Sequence, residues 1–409
     1  MIVVFLILAA ILVWFSFKSF IGGLRYLTFF RSEMAKPVPT WTPFVTVLCP
    51  CRGVDEGMEK NLLAILSQNY PAYEVIFVVD DEVDPAATLI QKLMDRRAAG
   101  VITTGGSGWA TSSLVVAPRS INSAQKIENL REAVLHTDPR SQVIVTVDSD
   151  ARPSPTSLRY LVAPLENDDV GAASGYRWFI SERPTFASEM RSVWNASIAS
   201  ALGPNTGSNF CWGGSTAIWR DMFDRLNIRE RWAGTLSDDF VVTRAIHDAG
   251  LDIVHVPQAL TASVENCSFR ELLEFTTRQM KITRVYMPHL WAMSFFGSAI
   301  FNLVMLWAFL IVVLSHENSW PVWAAVTTLV LVGAFSIGKS WLRLKAVRLA
   351  LPQYGSELGR QFFTQNTLWL LSPLVFLYNS IAALMSRDMI WRGTKYRLKS
   401  PTETVIIRE

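Results

Sequence analysis

Charge is scarce in this 409-residue chain. Charged residues make up 18% and the formal net charge is only +3. That excludes a disordered, strongly charged chain and a nucleic-acid binder driven by gross positive charge. Cysteine is scarce too, with Cys49, Cys51, Cys211 and Cys267 alone. Disulfide scaffolds belong to much shorter chains. Cys49-Pro50-Cys51 is too tight for a zinc knuckle, and no Cys/His pair stands at ligand spacing elsewhere. The four thiols read as ordinary buried side chains in a reducing compartment. A glycine-rich phosphate loop is missing, so neither a P-loop nor a dinucleotide fingerprint is present. Internal repeats and low-complexity runs are missing as well.

Apolar residues, by contrast, reach 50%, and the mean hydropathy is +0.24. The excess is concentrated. Met1 to Phe17 is almost wholly apolar; no basic residue precedes it, and Lys18, Arg25, Arg31 and Lys36 follow. A secretory signal has the opposite layout, so residues 1–24 read as an uncleaved anchor whose C-terminal side is cytoplasmic. Ala292–Leu314 and Trp320–Gly338 are each long enough to span a bilayer, which takes about 20 residues. The link Ser315–Ser319 has no Lys or Arg and is expected outside; Lys339–Arg360 is rich in both and is expected inside. Phe362–Met385 is a third apolar run with Pro373 in its middle. The basic residues after it (Arg387, Arg392, Lys395, Arg397, Lys399) favour a cytoplasmic tail, which a further full crossing would put outside. A re-entrant hairpin broken near Pro373 reconciles the two. Residues 292–385 thus form a C-terminal membrane region and 386–409 a basic tail.

Between about residues 42 and 287 short apolar runs alternate with amphipathic stretches. Phe44–Cys49, Glu74–Val79, Leu114–Ala117 and Val143–Val147 read as strands. The intervening segments read as helices: one capped by Asp55 and running to about Ser67, one from Asp84 to Ala98 stopped by Gly100, and one from about Ser123 to Leu135. Continuous apolar strands alternating with helices predict an α/β fold with a doubly wound, mostly parallel sheet. Ligands in such sheets bind beyond the C-terminal strand ends.

Acidic residues gather at those ends. The first strand runs into Arg52-Gly53-Val54-Asp55, the second into Asp80-Asp81, the fourth into Asp148-Ser149-Asp150. An acidic cleft repels a nucleotide diphosphate unless a divalent cation bridges them, and oxygen ligands suit Mg²⁺ or Mn²⁺. Asp148 and Asp150 are the expected metal ligands. Further on, Ser237 stands at the N-cap position of a helix to Ala249, with Asp238 and Asp239 in its first turn. The helix dipole alone accounts for carboxylates there; the functional reading is a general base near the metal, with Asp239 the better candidate. Ser268–Glu271 forms a capping box, and the helix it starts carries Arg278, Lys281 and Arg284 on one face. That face serves either the membrane surface or a leaving diphosphate.

Taken together these residues resemble the ceramide glucosyltransferase family (glycosyltransferase family 21), within the larger family 2 of inverting glycosyltransferases. The matching positions are Arg52-Gly53-Val54-Asp55, Asp81 before Asp84-Pro85-Ala86, Asn122, Lys126 and Asn129, Asp148/Asp150, and Asp239. The family's Gln/Arg-x-x-Arg-Trp aligns with Arg278-Gln279-Met280-Lys281-Ile282, so Lys and Ile replace Arg and Trp and the bidentate guanidinium is lost. The full Asp-x-Asp resembles bacterial relatives, some of which glycosylate hopanoid-type lipids. The resemblance implies a GT-A (Rossmann-like) catalytic domain over residues 42–287 on the cytoplasmic membrane face, its interfacial helix at 268–287. It implies that Asp55 and Asp81 hold uridine, that Lys126, Arg278 and Lys281 help neutralise the donor diphosphate, and that Asp239 is the base. Trp212 and Gly213, in Asn209–Ser215, either line the acceptor mouth or form a turn beside a core aromatic.

The expected activity is transfer of a hexose, glucose or N-acetylglucosamine in type, from a UDP-sugar to a lipid hydroxyl such as that of ceramide or a hopanoid. The alternatives are a processive polysaccharide synthase, which needs more membrane helices and an intact Gln-x-x-Arg-Trp, and a non-catalytic transporter or scaffold, which wants ionisable residues inside its spans.

Overall fold

A computed structural model describes residues 2–100, 109–315 and 319–407. In chain order the elements are α1 (Ile2–Met34), β1 (Val45–Pro50), α2 (Met58–Leu66), β2 (Ala72–Val79), α3 (Pro85–Ala98), β3 (Trp109–Val116), α4 (Gln125–Ala133), β4 (Val143–Thr146), α5 (Ser157–Val162), β5 (Val170–Ile180), α6 (Phe186–Ala199) and β6 (Thr216–Trp219). They continue with α7 (Arg220–Arg225), α8 (Ile228–Arg231), α9 (Asp238–Asp248), β7 (Asp252–Val264), α10 (Phe269–Tyr286), α11 (Pro288–Leu314), α12 (Trp320–Ala350), α13 (Gly355–Thr367), α14 (Ser372–Met385), β8 (Asp388–Trp391), β9 (Thr394–Ser400) and β10 (Glu403–Ile406). The chain divides into two compact units. One comprises Met1–Ser32, Arg183–Ser200 and Asn266–Ser386; the other Glu33–Glu182, Ala201–Glu265 and Arg387–Glu409.

The second unit is α/β. Its seven-stranded sheet has the order β3-β2-β1-β4-β6-β5-β7. β3, β2, β1 and β4 run parallel, β6 is antiparallel to both its neighbours, and β5 and β7 are parallel. The expected mostly parallel sheet is therefore present, extended by three strands that periodicity did not single out. Val45, Val47, Leu48, Val75 to Val79 and Val143 to Val145 are buried on both faces, as parallel strands covered by helices are. All four cysteines are free and buried.

Several local expectations change. Asp55 does not cap α2, whose N-cap is Gly57 in a left-handed conformation at φ 75°; the chain turns through Glu56 and Gly57 before the helix starts. β3 begins earlier than expected, at Trp109. Asp84 does cap α3: its Oδ1 accepts from Ala86 N at 2.7 Å and from Gly53 N at 2.9 Å. The basic tail is not an appendage. β8, β9 and β10 form a three-stranded antiparallel sheet in the α/β unit, with Tyr396 and Leu398 buried.

The other unit is helical. α1, α11 and α12 are long and apolar enough to cross a membrane. α1 has 33 residues, about 50 Å at 1.5 Å per residue, so it outreaches a hydrocarbon core of about 30 Å. The three pack through Phe5, Ala9, Leu12, Val304, Ala308, Ala325 and Val332, where alanines permit the close approach that helix association in lipid requires. Residues 352–370 and Ser372–Met385 make a pair bent by 58°, so the break falls beside Pro373 as expected. The link expected outside, Ser315–Ser319, has its middle residues, 316–318, outside the described residues. α6 packs with this unit although it lies between β5 and β6 in sequence, Trp194 stacking on Phe376 with centroids 5.0 Å apart. α10 opens with the expected capping box, both halves formed by Ser268 and Glu271.

Candidate active site

Because β2, β1 and β4 are neighbours and parallel, their C-terminal ends open on one edge. Asp81 follows β2, Asp55 sits in the loop after β1, and Asp148 and Asp150 follow β4. The post-β4 turn is pinned by Ala151 N donating to Asp148 O at 3.0 Å, Asn61 Nδ2 donating to Ser149 O at 3.2 Å, and Arg152 N donating to Ala262 O at 3.1 Å. The two aspartates are thus held on a rigid backbone.

A second set of acids is brought in by α4 and α9. Ala124 N donates to Thr235 O at 2.9 Å and Gly234 N to Ser123 Oγ at 2.9 Å. These bonds tie the start of α4 to the loop before α9, and so bring Lys126 to Asp238. Lys126 Nζ lies 2.7 Å from Asp148 Oδ1 and 3.0 Å from Asp238 Oδ1. One ammonium therefore bridges the strand-end acids and the helix-start acids. Burial pushes Lys126 toward the neutral form, but Asp148 and Asp238 outweigh it and hold its pKa above the ordinary value. Burial raises Asp148 too, yet Lys126 and Arg177 prevail and keep that carboxyl below the usual range. Asp238 is pushed up to about 6, chiefly by burial, against the pull of Lys126. Asp150 is likewise pushed up to about 6 by burial, with Arg177 opposing.

Arg177, on β5, escaped the sequence reading. Its Nη1 lies 3.3 Å from Asp150 Oδ2, and its guanidinium covers the Trp212 ring at 4.9 Å from the centroid. Trp212 itself is 4% exposed and meets Tyr176 edge-on. The ring thus lies in the core beneath Arg177. Gly213 is required by Asp238, since a Cβ there would come within 2.1 Å of Asp238 Oδ2 and 2.9 Å of Lys126 Nζ.

Ser237 occupies the N-cap position of α9, but its hydroxyl donates to Asp239 Oδ1 instead of capping the backbone. Phe240 N donates to the same oxygen at 2.8 Å. Asp238 is buried and committed to Lys126; Asp239 is half-buried, held through Oδ1 alone in these bonds. The two acids therefore differ in setting: Asp238 compensates the Lys126 charge, and Asp239 does not pair with it.

At the open end, Asp81 pairs with Arg119, and Asp55 is gripped by Arg392 from the β8–β9 turn, with Nη1 to Oδ1 at 2.7 Å. Arg119 and Arg392 were also missed. Arg278 and Lys281 lie on α10, in the helical unit, Arg278 with its guanidinium 5.6 Å from the Phe275 centroid.

Do these residues suit a divalent cation? Among the described residues no group of three or more His, Cys, Asp or Glu stands ready to hold one. Asp150 Oδ1, however, is buried with no hydrogen-bond partner, an arrangement that is costly unless a ligand completes it. Two carboxylates with one orphaned oxygen suit a hard cation whose remaining ligands come with a diphosphate.

Comparison with known proteins places this geometry in context. The model of the family described as glycosyl transferase family 21 matches residues 10–404. A ceramide glucosyltransferase from Komagataella phaffii is 32% identical over 76 residues, 19% of this chain and 15% of that protein; the chain spans well under two thirds of the curated relative it matches. A mannosyltransferase from Pyrobaculum calidifontis, solved with GDP-Man and Mn²⁺, is 18% identical with a TM-score of 0.45, covering 92% of this chain and 99% of that one. Glucosyl-3-phosphoglycerate synthase from Mycobacterium tuberculosis, solved with Mn²⁺ and uridine-diphosphate-glucose, is 15% identical with a TM-score of 0.34, covering 59% and 82%.

Proposed function

The chain belongs to glycosyl transferase family 21, and from that premise we propose that it is a membrane-bound inverting hexosyltransferase using a UDP-sugar and a lipid hydroxyl. The observation that carries the reading is the Lys126 bridge, which gathers Asp148 and Asp238 around one cation with Asp239 beside them. The acceptor class is drawn from the ceramide glucosyltransferase likeness and from the three apolar helices; ceramide and hopanoid-type lipids are the candidates. The catalytic unit faces the cytoplasm.

In this reading Asp239 takes the proton of the acceptor hydroxyl. The hydroxyl oxygen attacks the anomeric carbon as the bond to the diphosphate oxygen breaks, and UDP leaves with that electron pair, so the configuration inverts. Asp148 and Asp150 would hold Mg²⁺ or Mn²⁺, which, when bound, neutralises the departing diphosphate. Lys126 holds the two acid sets in register; Arg177 orients Asp150 and is itself supported on Trp212. Asp55 and Asp81 hold the uridine side of the donor. Gly213 keeps Asp238 in place.

The test is a panel of UDP-sugars against ceramide and hopanoid lipids in detergent, with product mass and anomeric configuration measured. Transfer should require a divalent ion. Asp239→Asn should lower turnover by about a thousand-fold or more, the scale on which a general base contributes, while UDP binding persists. Unchanged turnover in that variant removes Asp239 from the role of base.

A further inference from the structure

The β8–β9 turn is built at a cost. Trp391 pairs with Thr394, leaving a two-residue loop of Arg392 at φ 49° and Gly393 at φ 77°. Both residues are left-handed, the pattern of a tight hairpin turn that prefers Asn-Gly. An arginine there is strained, because its Cβ crowds the backbone in the left-handed region, and such strain collects at working sites.

The surroundings make the placement specific. The hairpin is fastened to the α/β unit by Tyr396, whose hydroxyl accepts from Gln125 N at 3.3 Å, and by Arg52 Nη1, which donates to Thr394 Oγ1 at 3.3 Å. Its own sheet is closed by the Asp388–Arg397 pair at 2.6 Å. On this rigid base Arg392 is aimed at the acidic edge. It pairs with Asp55 through both guanidinium nitrogens, and its charge also acts on Asp148, Asp150 and Glu265. Yet the Arg392 side chain remains 41% exposed, so it is not sealed from a ligand.

We propose that Arg392 is a donor-binding residue, its guanidinium contacting the diphosphate of the nucleotide from the rim of the acidic edge, with the C-terminal hairpin as its mount. This rests on the nucleotide-sugar reading above. A planar guanidinium matches phosphate oxygens in two parallel hydrogen bonds. Among acids that otherwise repel a diphosphate, an exposed guanidinium at the edge supplies the opposite sign. When the nucleoside engages Asp55, the Arg392 pairing there is relieved and the fork turns to the phosphates.

The experiment measures equilibrium binding of uridine, UMP and UDP, with Mn²⁺, to the full chain in detergent; guanosine, GMP and GDP form a parallel series. Arg392→Gly removes the guanidinium while suiting the left-handed backbone, so thermal stability should hold. UDP binding should weaken about ten-fold, the scale of a charge-assisted hydrogen bond, and uridine binding less than two-fold. Arg392→Lys should recover part of the loss, and Arg397→Gln, which breaks an ion pair in the same sheet, should leave UDP binding unchanged. Equal binding of UDP by Arg392→Gly and wild type overturns the proposal, as does an equal loss for uridine and UDP. If wild-type protein binds neither UDP nor GDP, the nucleotide-sugar reading itself fails and this inference with it; binding confined to the guanosine series corrects the base while the same comparison still tests Arg392.

Discussion

Lys126 is the residue on which the site's charge balance turns. Its side chain is mostly buried between Asp148 and Asp238, and removing one partner of such a group leaves like charges facing each other without compensation. Lys126→Met should therefore destabilise the chain at neutral pH by about 3 kcal/mol, read as a fall in the urea or thermal midpoint in detergent. In the variant the acids, deprived of their counter-charge, have folded pKa values raised above the unfolded carboxylate value. A raised folded pKa gives stability that is lost as pH rises through that window, so the gap to wild type should be narrower at pH 5 than at pH 8. A gap independent of pH would mean that lost packing, not charge, accounts for the effect. The same residues show what sequence can and cannot tell. Asp148, Asp150 and Asp239 were legible because each stands at a strand end or helix start within a short local pattern. Arg177 was not, since nothing in Ser174-Gly175-Tyr176-Arg177-Trp178 marks it as the partner of an acid 27 residues away. Trp212 stayed open between two readings because a local Trp-Gly-Gly pattern looks the same whether its ring faces a ligand or carries an arginine.

At the scale of elements, β5 and β7 hold the far side of the sheet, and their pairing has an irregularity between Ser174 and Tyr176. Gly175 fits there because a Cβ would lie 2.3 Å from Ala259 O. His255 is buried at the same place, with Nδ1 3.2 Å from Ser174 O. Burial lowers its pKa to about 4, against the small upward pull of that contact. The unfolded chain, titrating at the ordinary histidine value, binds a proton more readily, so stability from this residue is present above about pH 6.5 and lost as pH falls toward 4. The shift corresponds to about 3 kcal/mol at most. His255→Asn should flatten the stability profile between pH 6.5 and 4 relative to wild type, whatever its own midpoint at neutral pH; parallel profiles would sink the assignment. The four parallel strands were legible from their unbroken apolar runs, while β5, β6 and β7 were not. β6 reverses direction, and direction is set by pairing partners distant in sequence. The tail strands were hidden by charge: Lys395, Arg397 and Lys399 drew attention from the alternation that buries Tyr396 and Leu398.

At the scale of the whole molecule, the tail decides a question of parity. Arg387–Glu409 belongs to the same compact unit as the seven-stranded sheet, tied to it by Arg392–Asp55, Arg52–Thr394 and Tyr396–Gln125. A unit folded in this way stands on one side of a bilayer, because its loops and hydrogen-bonded edges have no counterpart in hydrocarbon. The chain leaves that unit after Glu265 and returns to it at Arg387, so any membrane crossings between them are even in number. α11 and α12, each long and apolar enough to cross, would supply two crossings. In the proposed topology the bent pair formed by residues 352–370 and Ser372–Met385 then enters and leaves by the same face, which the break beside Pro373 allows. Under the proposed cytoplasmic placement of the catalytic unit, the basic residues of the tail share a side with Lys339, Arg343, Lys345 and Arg348. Cysteine-accessibility labelling of intact cells or sealed vesicles should therefore find positions 387–407 and positions of the β1–β7 sheet protected or reactive together. A single cysteine in the link between α11 and α12 should show the opposite behaviour. Tail labelling from the outer face would make Pro352–Met385 a full span and would separate β8–β10 from the sheet that their contacts join.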